Sequence, residues 1–262
     1  MRVDLHNHTI YCNHASGSME EYIQRAMALG IDIFGFSCHA PMDFDTKYRM
    51  SKSMLPTYLS KIEDLSTKYS DKITILSALE VDFILGREDL LLGSVLDSNV
   101  DYLIGSVHFL GEWGFDNPEF VGEWSRRGVE ATWALYLDSV QKMAETKLFN
   151  IMGHFDLPKL FGSKIPKNML QKVTDTLEIL HKNDLVIEIN AAGLRKKINE
   201  QYPSLEILKI AKEIGIDITF SSDAHAIEQV GSSYETCLKI AKSVGYTKAV
   251  YFTKKEKKYV EI

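Results

Sequence analysis

The sequence predicts an α/β barrel formed by a single domain. Short β-rich runs alternate with longer amphipathic segments, about seven such pairs occur, and nearly every run ends in a residue that can bind a metal ion. Strand and helix in alternation indicate βαβ units with a parallel sheet, and seven units favour closure into a ring. The 262 residues also suit one barrel, because such barrels commonly need roughly 200–250 residues.

The predicted strands are short runs rich in β-branched and aromatic residues. In chain order they are Arg2–Leu5, Ile31–Ser37, Ile73–Leu79, Tyr102–Val107, Phe149–Met152, Leu185–Ile189 and Ile216–Phe220. Apolar residues spaced three and four apart predict the helices between them. These are Met19–Leu29, Leu55–Lys68, Gly128–Lys147, Lys167–Lys182 and Ser204–Ile214.

The last part of the chain predicts one more helix, Tyr234–Ser243, and a short run, Ala249–Phe252. We expect these two segments to complete the ring. The lysine-rich segment Lys254–Lys258 is expected to be a solvated tail. Since no Pro/Gly-rich linker or internal repeat interrupts the pattern, residues 1–262 are predicted to be one domain.

Composition limits the kinds of partner. Hydrophobic residues make up 45% of the chain and charged residues 25%, which is ordinary for a globular protein with a substantial core. The net charge of -6 and the absence of a basic stripe argue against a nucleic-acid partner. No apolar stretch approaches the ~20 residues that span a bilayer, and the first predicted strand leaves no room for a signal peptide. We therefore expect no membrane partner.

The three cysteines indicate a reducing compartment. Cys12, Cys38 and Cys237 are odd in number and lack a C-x-x-C spacing. This pattern suggests neither a disulfide framework nor a thiolate zinc site. The expected location is the cytoplasm.

Two long insertions are expected to form the substrate walls. They are Ala40–Pro56, after the second predicted strand, and Phe109–Arg127, after the fourth. The second insertion is rich in aromatic residues. In a barrel, loops that follow strands overhang the active mouth.

Nine residues of metal-binding type are found at or just after strand ends. His6 and His8 are two apart, so they point to the same side of a strand. The full set is His6, His8, His14, His39, Glu80, His108, His154, Asp223 and His225. Because the carboxyl ends of parallel strands gather at one mouth, these side chains should converge, which predicts a metalloenzyme. The remaining histidine, His181, falls in a helical pattern and is expected to be an ordinary surface residue.

The same segments resemble the PHP family, named for polymerase and histidinol phosphatase. The matching pieces, in the family's order along the whole chain, are Asp4–Thr9, Gly35–His39, Leu79–Glu80, Gly105–His108, Gly153–Asp156 and Ser222–His225. The monofunctional histidinol-phosphatase branch is resembled most, through Glu188–Asn190, Gly193–Lys196 and Tyr202–Pro203. One departure is Ser37-Cys38-His39, where the family often has Thr-Asp-His; the ligand is kept and its surroundings change.

The resemblance implies a distorted (β/α)7 TIM-like barrel that holds three divalent metal ions, either zinc, iron or manganese. One ion would bind His6, His8, Glu80 and Asp223. A second would share Glu80 and add His108 and His154. The third would bind His14, His39 and His225.

The resemblance also implies hydrolysis of L-histidinol phosphate to L-histidinol and inorganic phosphate. Two ions bridged by Glu80 would share a water and lower its pKa, giving a bridging hydroxide as nucleophile. The third ion, with His39 and His225, would hold the phosphoryl oxygens. Arg195 is expected to grip the phosphate with its planar fork. Either Asp223 or a metal-bound water would protonate the departing alcohol.

Other residues are candidates for recognising this small phosphorylated substrate. Its ammonium and imidazole call for a carboxylate beside an aromatic wall. Asp116 with Phe115, or Asp43 with Phe44, would meet that need. Asn190 would either bind substrate or fix its own loop.

Three alternative functions stay open at this stage. The cluster would also suit another small phosphoester, such as a sugar phosphate or nucleotide. A non-catalytic scaffold is disfavoured by the complete ligand set, and the acidic charge opposes nucleic-acid processing. Metal-dependent amide or amine hydrolysis would call for a bridging lysine and two ions. The sequence leaves the metal identity and the oligomeric state open.

Overall fold

The structure is a computed structural model that describes residues 1–262. Its strands are β1 Val3–Asp4, β2 Ile33–His39, β3 Thr74–Asp82, β4 Tyr102–Ser106, β5 Phe109–Leu110, β6 Trp113–Gly114, β7 Ile151–Met152, β8 Val186–Asn190, β9 Ile218–Ser221, β10 Lys248–Thr253 and β11 Glu256–Glu261. Seven of them form one parallel sheet in the order β1-β2-β3-β4-β7-β8-β9. All seven predicted barrel strands are confirmed.

Backbone hydrogen bonds join the last strand of this sheet to the first. The N–H of Leu5 donates to the carbonyl of Phe220 at 3.0 Å, and the N–H of His8 donates to that of Ala224 at 2.9 Å. A parallel bridge pairs Asn7 with Ala224. The sheet is therefore closed into a seven-stranded barrel, as predicted.

Helices surround the sheet. They are α1 Met19–Ala28, α2 Leu55–Lys68, α3 Gly93–Leu96, α4 Glu123–Arg127, α5 Val129–Glu145, α6 Leu170–Lys182, α7 Leu205–Ile214 and α8 Tyr234–Val244. The longest helix, α5, buries Trp133, Tyr136, Leu137 and Val140 at helical spacing, which is how one face reaches the sheet. The six long predicted helices are confirmed, with ends that differ by a few residues. The largest difference is at Lys167–Met169, which forms a 3-10 turn before α6.

Gly35 allows a close crossing inside the barrel. The Tyr102 side chain passes over β2, and its hydroxyl donates to the carbonyl of Leu5 at 2.5 Å. A Cβ added at Gly35 would lie 1.7 Å from that hydroxyl oxygen and 3.1 Å from the Leu5 carbonyl oxygen. Only glycine leaves room for this tie between β4 and β1.

The prediction for the C-terminal segment was wrong. The run Ala249–Phe252 lies in β10, which pairs antiparallel with β11 in a separate two-stranded sheet. It does not complete the ring, because β9 is already hydrogen-bonded to the β1 segment and no barrel edge is left open. The segment Lys254–Lys258 is not a tail either. It forms the hairpin turn and the start of β11, where the Lys257 ammonium lies 3.2 Å from a carboxylate oxygen of Asp217.

The second insertion is an ordered wall. It contains the short antiparallel pair β5–β6 and helix α4. The rings of Trp113 and Trp124 lie 5.4 Å apart, centroid to centroid, and the Trp124 indole donates to the carbonyl of Phe115 at 2.9 Å.

Nowhere in the chain is there a helix with the length and apolar character needed to cross a membrane.

Candidate metal centre

The nine predicted ligands converge at the carboxyl-terminal mouth of the barrel. His6 and His8 follow β1, His39 ends β2, and Glu80 lies near the end of β3. The others lie in loops after strands: His14, His108, His154, Asp223 and His225. His181 lies apart, exposed in the last turn of α6, as predicted.

Glu80 is at the centre of the cluster and its two oxygens face different histidines. Oε2 lies 3.0 Å from His39 Nδ1, 3.3 Å from His6 Nε2 and 3.5 Å from His8 Nε2. Oε1 lies 3.0 Å from His154 Nε2 and 3.6 Å from His108 Nε2. The carboxylate thus has the geometry to bridge two neighbouring cation sites.

Asp223 faces the first of these groups. Its Oδ1 lies 3.1 Å from His8 Nε2 and 4.0 Å from His6 Nε2. The ligand atoms of His6, His8 and Glu80 all lie within 4.8 Å of one another, as do those of Glu80, His108 and His154. The side chains of the first two predicted ligand sets are thus brought together, with Asp223 beside His8.

The third group differs in one member. His39 and His225 share a close arrangement with His8, their ligand atoms lying within 4.8 Å of one another. The rings of His8 and His225 are stacked at 3.9 Å, centroid to centroid. The His14 ring lies at the rim, 4.7 Å from that of His225 and 5.3 Å from that of His39. His8 is therefore common to the first and third groups.

The residues present fit divalent cations. Glu80 Oε2 is buried and has no hydrogen-bond partner, although three imidazole nitrogens surround it. The Nδ1 atom of His39 is likewise without a partner. Buried polar atoms are normally hydrogen-bonded, and imidazoles with carboxylates are the ligands that zinc, iron and manganese accept. A cation between these atoms would satisfy all of them.

The electrostatics of the cluster agree with this assignment. Burial by itself would raise the pKa of Glu80, but the imidazoles of His39 and His6 outweigh it and hold that pKa well below the usual range. Asp223 likewise has a lowered pKa, because His6 and His8 outweigh burial. Burial opposes protonation of His8, yet its hydrogen bond with Asp223 raises its pKa to about 9. The two central acids thus favour nearby positive charge.

A layer of polar residues orients the ligands, and the sequence analysis did not find it. Asp82 Oδ1 accepts from His108 Nδ1 at 2.6 Å, and Asp82 is itself paired with Arg49 at 3.0 Å. Glu188 accepts from His6 Nδ1 at 3.0 Å and from the backbone N–H of His154 at 2.8 Å. Such partners leave Nε2 of each ring free for metal.

Asp4 fixes the loop that carries the last ligands. Its carboxylate accepts from the N–H and hydroxyl of Ser222, at 2.8 and 2.7 Å, and from the N–H of Gly231 at 3.2 Å. His154 and Asp223 have left-handed backbone, with φ of 25° and 51°. Non-glycine residues in this region carry strain, which is common at functional sites.

A cavity of about 570 Å³ opens above the cluster. Both insertions contribute to its walls, as predicted. Asp45, Tyr48 and Arg49 come from the first, and Asp116 and Phe120 from the second. Asp43 and Phe44 are not among the lining residues.

The predicted substrate residues differ in position. Arg195 lines the cavity, and its guanidinium donates to the carbonyl of Asp223 at 2.9 Å and to Ser232 Oγ at 3.2 Å. Asn190 is buried behind the cavity wall. Its amide donates to Glu188 at 2.8 Å and to Asp223 at 3.2 Å, and its oxygen accepts from Ala192 N–H. Of the two possibilities for Asn190, these contacts favour fixing its surroundings.

Comparison with known protein families decides the relationship. The model of the PHP domain matches residues 4–192, and a model described as PHP-associated matches residues 205–239. The chain belongs to the PHP family. The family resemblance inferred from the strand-end motifs is thus confirmed.

PHP relatives align with nearly the whole chain. A Deinococcus radiodurans protein named "Probable histidinol-phosphatase" is 36% identical over 244 residues, covering 92% of this chain and 93% of that protein. The histidinol-phosphatase of Bacillus subtilis is 28% identical, covering 90% and 97%. A Lactococcus lactis histidinol phosphate phosphatase, crystallised with zinc, L-histidinol and phosphate, has the same fold. Its TM-score is 0.86 at 21% identity, covering 98% of both chains.

Proposed function

We propose that this PHP protein is a metal-dependent histidinol-phosphatase, which hydrolyses L-histidinol phosphate to L-histidinol and inorganic phosphate. The observation that carries the proposal is the convergence of nine ligand-type side chains beneath one cavity. The relatives named above support the substrate, and the zinc, histidinol and phosphate bound by the Lactococcus lactis protein agree with it. The domain is taken as one phosphoesterase barrel over residues 1–262, and the three free cysteines support a cytoplasmic location.

We assign three divalent cations to the cluster, as zinc, iron or manganese. His6, His8, Glu80 and Asp223 would hold the first, Glu80, His108 and His154 the second, and His14, His39 and His225 the third. His8 borders the third group as well. When bound, such cations lower the pKa of a coordinated water and offset charge on the phosphoryl group.

Side chains of the barrel mouth then bind and orient the substrate. Arg195 presents a planar donor fork to the phosphate, and its bonds to the Asp223 carbonyl and Ser232 hold that fork in place. Asp82 and Glu188 fix the tautomers of His108 and His6. The substrate's phosphate is thereby directed at the ligand cluster.

We assign proton delivery to the departing alkoxide to Asp223, whose carboxylate, ionised at rest, would first take that proton from the attacking water. Of the two acids among the proposed ligands, Glu80 is enclosed, with 1% of its side chain exposed against 14% for Asp223. Asp223 is therefore the more exposed of the two at the surface of the cavity, where a leaving group would lie. Its other oxygen, Oδ2, accepts from Asn190 and is kept in position.

We assign recognition of the cationic part of the substrate to Asp116. It is half-buried in the cavity wall formed by the second insertion, which Phe109 and Phe120 also line, whereas the predicted partner Phe115 is buried and does not line the cavity. A carboxylate beside aromatic rings suits an ammonium or an imidazolium group. Asp43, the other candidate, is exposed and paired with Lys52 at 2.5 Å.

The test is phosphate release by protein loaded separately with zinc, manganese or iron. Histidinol phosphate is compared with sugar phosphates and nucleotides, and bound metal is counted per chain. Asp223→Asn is the matched inactive variant, since it keeps the side-chain shape. A preference for histidinol phosphate below about tenfold would favour a broad-substrate phosphatase, since tenfold is only about 1.4 kcal/mol of discrimination. Metal-independent turnover, or full turnover by Asp223→Asn, would contradict the proposal.

A further inference from the structure

Two of the three free cysteines lie side by side under the ligand cluster. Cys12 and Cys38 are fully buried. Their sulfur atoms and one ring nitrogen of His8 all lie within 4.8 Å of one another. Both sulfurs also face the carbonyl oxygen of Thr9, at 3.1 Å from Cys12 and 3.6 Å from Cys38. The proposed hydrolysis uses neither thiol.

A metal ion bound between these thiols is disfavoured by the position of His8. This ring would be the third ligand, and with Nε2 facing Asp223 at 3.1 Å and Glu80 at 3.5 Å only its unpartnered Nδ1 is left, so it would have to bind metal through both nitrogens. A thiolate site would have to share this imidazole with the main cluster. The two thiols are better placed to react with each other.

We propose that Cys12 and Cys38 are a redox modification site: when a peroxide oxidises them, they form a reversible disulfide with each other. One sulfur attacks a peroxide oxygen, giving a sulfenic acid and releasing water from hydrogen peroxide. The second sulfur attacks the first, the S–S bond forms, and a second water leaves. Two thiols are oxidised by two electrons and one hydrogen peroxide is reduced to two waters. A low-molecular-weight thiol reverses the reaction by exchange.

The approach needed for this bond is short. A disulfide has an S–S distance of roughly 2.05 Å, so the sulfurs must close by less than about 3 Å from a separation of at most 4.8 Å. Cys12 ends a single 3-10 turn, Ile10–Cys12, and Ile10 is 52% exposed. Solvent is therefore reached within one turn of the chain from this buried thiol, and hydrogen peroxide is little larger than water.

The movement would fall on Cys12 and not on Cys38. Cys38 lies within β2, paired with Leu79, and its N–H donates to the hydroxyl of Tyr58 at 3.2 Å. The carbonyl of Cys12 accepts from His14 Nδ1 at 2.8 Å. Drawing Cys12 toward β2 would therefore displace His14 from its place beside His225. Resting on the proposed function, this predicts that the disulfide weakens the third cation site and reduces phosphatase activity.

The first measurement is a thiol count, which does not depend on the function. Zinc-loaded protein is treated with hydrogen peroxide, unfolded, and titrated for free thiols, with peptide mass mapping. We expect the count to fall from three to one, with Cys12 and Cys38 linked and Cys237 free. Three remaining thiols, a different pairing, or a sulfinic acid without a bridge would overturn the proposal.

The second measurement couples the bridge to the site. Peroxide should lower phosphate release by at least about tenfold, since small misplacements at a site have large effects, and dithiothreitol should restore it. Cys12→Ser and Cys38→Ser should keep their own activity under peroxide, while the control Cys237→Ser should lose it as the wild type does. A bridge that forms with activity and bound zinc unchanged would overturn the coupling to His14. An inactive protein that still forms the bridge would contradict the phosphatase and not the redox site.

Discussion

Two histidines of this site depend on buried acids that hold their second ring nitrogen. Asp82 holds His108 through its Nδ1, and Glu188 holds His6 in the same way. Each acid fixes both the rotation and the tautomer of its ring. Ligand geometry is thus determined one layer below the ligands.

Asp82→Asn tests this layer. The amide keeps the shape but loses the charge that orients His108, so metal affinity or activity should fall about 10–100-fold. Asp89→Asn is the control, because Asp89 is exposed and paired only with Arg87. Bound metal and phosphate release are measured as metal concentration is varied. An unchanged metal affinity in Asp82→Asn would show that His108 is oriented by other contacts.

Arg195→Ala tests the phosphate grip. Since the guanidinium lines the cavity beside Asp223, its loss should raise KM for histidinol phosphate, with a smaller decrease in kcat. Lys197→Ala is the control, an exposed residue of the same basic run that does not line the cavity. Steady-state kinetics separate the two constants. If neither constant changes, Arg195 does not contact the substrate.

The sequence predicted the candidate metal ligands at strand ends, but not the acids that orient those ligands. The ligands were predictable because parallel strands end at one mouth. Asp82 ends β3 and Glu188 lies inside β8, and a single buried acid in a strand has no pattern of its own. Their spacing was the available signal for a role beside the ligands. Glu80 and Asp82 are two apart and so share one face of β3, and Glu188 and Asn190 share one face of β8 in the same way. Arg49 lies in a loop whose course no periodicity fixes.

At the scale of elements, the tie between β4 and β1 depends on one position in β2. Gly35→Ala would force the Tyr102 hydroxyl away from the Leu5 carbonyl, because the new Cβ would lie 1.7 Å from it. Overpacking of this kind typically costs about 1–3 kcal/mol of unfolding free energy. Urea unfolding measures the loss. Gly122→Ala, where a Cβ meets nothing within 4 Å, is the control, and equal stability of the two variants would contradict the expectation.

The pairing of Ala249–Phe252 with β11 could not be predicted from local composition. Ala249–Phe252 reads like the barrel strands, since local composition does not reveal which neighbour a strand pairs with. The partner is decided by β11, whose residues are mostly exposed and lysine-rich and so carry little strand signal. Strand existence was predictable from local pattern, but sheet membership required long-range pairing.

For the whole molecule, removing metal should make stability depend on pH. Burial opposes protonation of His8 and His108, but Asp223 raises the pKa of His8 to about 9 and Asp82 raises that of His108 to about 10. Burial lowers the pKa of His39 to about 4. The raised pKa values of His8 and His108 contribute stability that is fully present below the unfolded pKa of about 6.5 and is lost as pH rises through 9 to 10. The lowered pKa of His39 decreases stability as pH falls from about 6.5 toward 4, because the unfolded chain then binds a proton that the folded protein does not.

Metal-free protein should therefore be most stable near about pH 6.5 and lose several degrees of Tm toward alkaline pH. Metal-loaded protein should lack the alkaline loss, because bound cations replace the protons on the ligands. Thermal unfolding of chelator-treated and reloaded samples across this range measures both. A metal-free Tm that holds steady or rises above neutral pH would contradict the assigned charges.

The pairing of β1 with both β2 and the β9 end of the chain has a consequence for biosynthesis. Leu5 and His8 receive their backbone partners, Phe220 and Ala224, only after most of the polypeptide has left the ribosome. Until then His6 and His8 are held on one side only, and Asp223 and His225 do not yet exist beside them. Correct loading with cations is thus expected to follow translation, when the nascent barrel finally shuts.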